Sequence, residues 1–186
     1  MRVLVLHDHG NEITEFIAPI DILKRAGIEV YVTHKTSLDN PLYSEGIIDK
    51  DIFEVSGTLN QYDAIIIPGG KRGVKAFSEN YLHPDSAVCQ DIKKFFQSGK
   101  LVAAICAAPS LLGNNGLLKN KKYTCYPGWE SDSFGGVYTG KEVVIDGHLI
   151  TARSMYFSTD FGLAIVEYLL GKQKRLEIEN QVKGLK

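Results

Sequence analysis

The stretch Val102-Ala103-Ala104-Ile105-Cys106-Ala107-Ala108-Pro109-Ser110 puts a thiol where a buried, strand-like run gives way to a helix. Most free cysteines are small buried hydrophobes, but three features set Cys106 apart. It stands at a strand end, its neighbours are small enough to let a strained elbow close against a sheet, and a helix start follows. A helix start presents free N–H groups and a positive dipole end, which favour thiolate over thiol. Cys106 is therefore expected to titrate well below ~8.5, the free thiol value. The same N–H groups, beginning with that of Ala107, would stabilise an oxyanion, and Pro109 suits a first helical turn, where a missing N–H is harmless.

The other reactive residue types carry weaker signals. Cys89 lies among Val88, Ile92 and Phe95 at helical spacing and reads as core, while Cys125 is a candidate resolving thiol. His7-Asp8-His9 follows the first strand on the same rim as Cys106, with His9 a candidate for the pocket. An HxH pair alone is poor evidence for metal, and no metal is expected. Trp129 and Tyr126 read first as packing residues that line the pocket if they reach it. Glu15 by itself is a first-turn glutamate favoured by the helix dipole. Pro68-Gly69-Gly70 is a tight turn that leaves its backbone open.

The elements that must carry these residues alternate. Arg2 to His7 reads as a strand, and Thr14 to Ala26 as a helix with Phe16, Ile17, Ile20, Leu23 and Ala26 on one face. Pro19 should kink that helix and Gly27 should stop it. Ile28 to Thr33 alternates as a second strand, and Tyr43 to Phe53 reads as irregular β structure or a hairpin at a sheet edge. Asp63 to Ile67 and Leu101 to Ile105 are continuous apolar runs that suit a parallel sheet covered on both faces. A helix is expected from His83 to Gln97 and another from Cys106 through about Leu112. Asp146-Gly147 marks a hairpin between Val143–Ile145 and Leu149–Thr151. A helix from Ser158 to Leu170, ended by Gly171, leads into a polar C-terminal segment. This order predicts an α/β fold, a doubly wound parallel sheet sandwiched by helices, with ligands beyond the carboxyl ends of the strands.

Size and composition fit one domain spanning residues 1–186, at 44% hydrophobic and 23% charged. With 21 basic against 22 acidic side chains the formal net charge is -1, so no nucleic-acid partner is expected. No apolar run approaches the ~20 residues of a membrane span, and no membrane partner is expected. Three cysteines without CxxC spacing argue against a secreted disulfide framework and point to a reducing, cytoplasmic setting.

In the order of its motifs the chain resembles the ThiJ/PfpI superfamily, in the branch of the parkinsonism-associated protein deglycase and its bacterial relatives. The resemblance is carried by Ala103 to Pro109, by Glu15 within Thr14 to Asp21, by Lys24 to Ile28, by Pro68-Gly69-Gly70, and by Asp160 to Glu167. It implies a flavodoxin-like sandwich with Cys106 on a nucleophile elbow, a homodimer, and an acidic residue at Glu15 that hydrogen-bonds the elbow cysteine. A protonated carboxylic acid there donates to a thiolate, so the thiol pKa falls while the acid's own rises. Gly69 and Gly70 match the loop that faces the cysteine, where a glycine N–H joins that of Ala107 in an oxyanion site. Three departures stand out. Tyr126 occupies a position where the family often has histidine. Ser154-Met155-Tyr156-Phe157 follows Arg153, itself a candidate for the pocket, where Gly-Pro-Gly-Thr is common, which puts larger side chains near the pocket. Glu45 replaces a residue that tends to be basic near the dimer interface.

The function expected from this resemblance is a cysteine-dependent stress response. Cys106 would attack glyoxal, methylglyoxal or their early adducts, with Glu15 shuttling protons, without a cofactor. The alternatives are a redox sensor or chaperone in which Cys106 is oxidised, and an intracellular amidase or peptidase. The last is disfavoured because Ala107 stands where that branch has histidine.

Overall fold

The computed structural model describes residues 1–7, 10–32, 52–54, 58–80 and 82–185. Among the described residues seven strands form one sheet: β1 (Arg2–Val5), β2 (Glu29–Val32), β3 (Ile52–Glu54), β4 (Ala64–Ile67), β5 (Leu101–Ile105), β8 (Val143–Asp146) and β9 (Leu149–Ala152). Their order across the sheet is β3-β2-β1-β4-β5-β9-β8, and all pairs are parallel except the β8–β9 hairpin. The short strands β6 (Lys122–Tyr123) and β7 (Val137–Tyr138) pair separately.

Alternation along each strand assigns its side chains to one of two cores. Leu4, Leu6, Ile65, Ile67, Val102 and Ala104 point to the face covered by α2 (Lys71–Asn80), α3 (Ala87–Gln97) and α4 (Pro109–Asn114). Val3, Val5, Ala64, Ile66, Ala103 and Ile105 meet Phe16, Ile20 and Leu23 of α1 (Ile13–Arg25) on the opposite face. There they also meet Phe161, Ile165 and Val166 of α5 (Ser158–Leu170). Strands buried on both faces cannot show polar alternation, which is why β4 and β5 read as unbroken apolar runs. The α/β sandwich expected from the sequence is the one observed.

Close packing of α1 on α5 depends on Gly162. A Cβ there would lie 3.0 Å from the Ile22 Cβ and 3.1 Å from the Pro19 Cα. Pro19 stays inside α1, buried on this same face, and the helix runs through it.

Several element boundaries differ from expectation. The helix expected from His83 begins at Ala87, where the Ser86 hydroxyl accepts the Cys89 N–H at 3.0 Å. The helix expected at Cys106 begins only at Pro109, after a turn over 106–108. Two helices were not foreseen: α2, directly after Gly70, and α6 (Lys172–Val182), which forms from the polar C-terminal segment. The Tyr43–Phe53 expectation is met only at its end, where β3 is a parallel edge strand; residues 43–51 lie outside the described residues. No helix among the described residues is long and apolar enough to cross a membrane.

Candidate functional site

β5 ends at Ile105, and the next residue has a left-handed backbone, with φ at 62° for Cys106. A side chain in that conformation costs of order 1–3 kcal/mol and persists only where the surroundings over-determine it. Here the Cys106 N–H donates to the Ala152 carbonyl at 2.9 Å, and the Cys106 carbonyl accepts the Tyr126 N–H at 2.7 Å. Ala103, Ala104 and Ala108 are fully buried around the elbow, so larger residues would collide with the sheet and its covering helices. Cys106 itself stays half-buried, whereas Cys89 and Cys125 are buried.

Glu15 reaches the elbow from the first turn of α1. It is only 1% exposed, a carboxyl inside the protein rather than a solvated dipole partner. Its Oε2 accepts the Gly69 N–H at 3.0 Å, and its side chain hydrogen-bonds Cys106. The N–H groups of Gly70 and Ala107 hydrogen-bond the Cys106 sulfur. Gly69 is required by space, since a Cβ there would sit 2.5 Å from Glu15 Oε2 and 2.8 Å from the Cys106 Cβ. Cys106, Glu15, Gly69, Gly70 and Ala107 are thus brought together.

Burial sets the electrostatics of the pair. It pushes the Glu15 carboxyl up to about 7, against the hydrogen bonds from Cys106 and Gly69. Burial, then the ionised Glu15 beside it, push the Cys106 thiol up to about 12, against the N–H groups of Gly70 and Ala107. A helix start does not supply the lowering expected from the sequence, because α4 begins three residues beyond Cys106; while Glu15 is ionised, burial and that charge outweigh the two N–H donors. The value near 12 belongs to a thiol facing a carboxylate. The two groups titrate as a coupled pair: burial raises both, and once one has ionised its charge holds the remaining proton between them. A proton placed on Glu15 removes the Coulombic push and turns the shared hydrogen bond towards sulfur.

The remaining sequence candidates are placed differently. Tyr126 meets the elbow through its backbone, and its side chain is 49% exposed. Arg153 follows Ala152, but its guanidinium donates to the Gly140 carbonyl at 3.0 Å and lies 4.9 Å from the Phe157 ring centroid. His9 and Glu45 lie outside the described residues. His7 packs its ring edge-on against Phe16, with centroids 4.3 Å apart. Cys125 is buried with its sulfur 4.0 Å from Glu130 Oε2, and burial pushes it up to about 12. Cys89 is buried as expected, its thiol donating to Asn115 Oδ1 at 3.1 Å. Met155 and Tyr156, expected to crowd the pocket, are exposed to 47% and 81%. Trp129 is half-buried beside Ser110 and Leu111, where it helps line a cavity of about 330 Å³ with Lys71 and Lys75.

Residues 1–168 match the model of the DJ-1/PfpI family. The chain belongs to the DJ-1/PfpI family. It is 35% identical over 185 residues to protein dj-1beta of Drosophila melanogaster, covering 98% of this chain and 95% of that one. The crystal structure of Drosophila DJ-1beta superposes with a TM-score of 0.73, covering 100% of this chain and 98% of the other. Protein DJ-1 homolog B of Arabidopsis thaliana is 36% identical over 184 residues; the match spans 95% of this chain but only 40% of that protein. An oxidized DJ-1 from Toxoplasma gondii superposes with a TM-score of 0.74 at 30% identity, covering 97% of each chain.

One contributor to this DJ-1-like site carries no signal in the sequence. Asn11 donates from Nδ2 to the Gly69 carbonyl at 2.9 Å, tying the loop before α1 to the glycine turn.

Proposed function

We propose that this protein is a cysteine-dependent stress-response enzyme acting on small reactive carbonyls, glyoxal or methylglyoxal and their early adducts. The observation that carries the reading is the buried Glu15 carboxyl hydrogen-bonded to a half-buried cysteine on a left-handed elbow, with two backbone N–H groups on its sulfur. In the reactive form the shared proton is on Glu15 and Cys106 is a thiolate. Its sulfur attacks one aldehyde carbon of glyoxal, and Glu15 gives its proton to the oxygen, leaving a hemithioacetal. Glu15, now a carboxylate, removes the C–H proton from that carbon and the proton returns to the neighbouring carbon. A thioester beside a primary alcohol results. Water adds to the thioester, the C–S bond breaks, and glycolic acid leaves as the thiolate reforms. One carbon is oxidised and its neighbour reduced, so no external redox partner or cofactor is needed.

Family relatives often have histidine at the position of Tyr126, and its absence removes one base for the hydrolytic step. Turnover is therefore expected to be measurable but slow. The protein is read as a cytoplasmic homodimer with the small carbonyl as its substrate.

The exposure pattern of the cysteines supports a second reading, an oxidation sensor or chaperone. Cys106 alone among the three is accessible. Its N–H donors would serve the oxygens of a sulfinate as they serve a thiolate. Glyoxal consumption with hydroxy-acid formation separates the two readings. The enzyme reading expects both from the wild type and neither from Cys106→Ser. Equal inactivity of the two proteins, with ready oxidation of Cys106, supports the sensor.

A further inference from the structure

We propose that Asn11 is a positioning residue for the Cys106 site, its side-chain amide fixing the Gly69–Gly70 peptide so that the Gly70 N–H is aimed at the sulfur.

Both backbone donors of the loop come from consecutive residues. Gly69 N–H serves Glu15, and Gly70 N–H serves the Cys106 sulfur. The carbonyl between them, that of Gly69, accepts from Asn11 Nδ2 at 2.9 Å and from the Glu12 N–H at 3.3 Å. A trans peptide is planar, with its C=O and N–H pointing in opposite directions. Holding the Gly69 oxygen on one side therefore dictates where the Gly70 hydrogen points on the other. A donor on the carbonyl also polarises the peptide and strengthens its N–H as a donor.

The clamp matters because two successive glycines have wide conformational freedom. Gly70 is left-handed, with φ at 91°. Segment 10–12 lies flush on the turn. A Cβ on Gly70 would come 2.6 Å from the Glu12 nitrogen and 2.7 Å from the Gly10 oxygen, and the Gly73 N–H donates to the Gly10 carbonyl at 3.0 Å. Within that contact Asn11 supplies the shorter of the two bonds to the Gly69 oxygen, and the only one from a side chain among the described residues. Its second approach, to the Pro68 carbonyl, is longer at 3.5 Å.

This inference rests on the thiolate reading above, and the experiment separates the failure of one from that of the other. The thiolate absorbance of Cys106 and its iodoacetamide rate are followed against pH in wild type, Asn11→Ala and Asn11→Asp, with Cys106→Ser as the blank. Aspartate keeps the size and shape of asparagine, but ionised it only accepts hydrogen bonds. The expected result is a midpoint about 0.5–1 unit higher in Asn11→Ala, with alkylation near neutrality roughly three- to tenfold slower. Asn11→Asp should shift at least as far. Midpoints unchanged in both variants beside a depressed wild-type midpoint would overturn the proposal, including where melting temperature falls, since that marks a purely structural role. A wild-type midpoint at the ordinary thiol value would instead overturn the thiolate reading, and this proposal with it.

Discussion

Gly69 and Glu15 are fitted to each other from two directions. The Gly69 N–H donates to Glu15 Oε2 at 3.0 Å, and the missing Gly69 side chain leaves the space that this same oxygen occupies, 2.5 Å from where a Cβ would stand. The carboxyl can be buried because the glycine supplies both a donor and a vacancy. Gly69→Ala is therefore expected to displace the carboxyl and the Cys106 Cβ together. Overpacking at such a site costs about 1–3 kcal/mol. Urea denaturation should show that loss, and Cys106 alkylation should slow in the fraction that remains folded. Wild-type stability and labelling in Gly69→Ala would mean the turn relaxes freely.

Glu15 should also make stability depend on pH. Its carboxyl is raised from 4.5 to about 7 in the folded protein, mainly by burial. A raised group contributes stability that is complete below its unfolded value and is lost as pH climbs through its folded value. Wild type should therefore lose up to about 3 kcal/mol relative to Glu15→Gln between pH ~4.5 and pH ~7. Denaturant titrations at four or five pH values give the difference. Parallel stability curves for the two proteins would contradict a buried, proton-holding Glu15.

Much of this arrangement can be read in the chain, and the failures have physical causes. β4 and β5 declare themselves because doubly covered strands need unbroken apolar runs. α6 hides because it is polar almost all round and buries only Ile178 fully, leaving no apolar stripe to find. α2 hides because it follows two glycines and contains a third, Gly73, with Val74 and Phe77 alone facing the core. Glu15 looks local from its spacing; its approach to Cys106 spans 91 positions and becomes visible in sequence only through the family resemblance. Asn11 has no such cue, since a loop asparagine is ordinary and its partner carbonyl is 58 residues away.

The α1–α5 contact offers a test remote from the thiol. Gly162→Ala adds helix propensity, worth about 1 kcal/mol, but forces a methyl against Ile22 and the Pro19 backbone at 3.0–3.1 Å. Because the Pro19 Cα cannot rotate aside, a net loss of about 1–2 kcal/mol is expected. A thermal melt showing a gain would mean that α5 shifts without penalty.

Mild peroxide should modify Cys106 before the other thiols and carry it to the sulfinic acid. Cys89 and Cys125 are only 1% and 0% exposed, and burial raises both thiols, so neither access nor thiolate character favours them. Peptide mapping by mass spectrometry gives the order of attack. Earlier oxidation at Cys89 or Cys125 would reassign the reactive thiol.

The location of the single proton shared by Glu15 and Cys106 is the centre of the account, and the pH dependence of Cys106 alkylation reports it most directly. With the proton on Glu15, wild type should label with a midpoint well below the ~8.5 of a free thiol. Glu15→Ala should raise that midpoint, and Glu15→Gln should raise it less because the amide still donates to sulfur. A wild-type midpoint at or above the free-thiol value, or identical midpoints in all three proteins, would place the proton on sulfur and contradict the account.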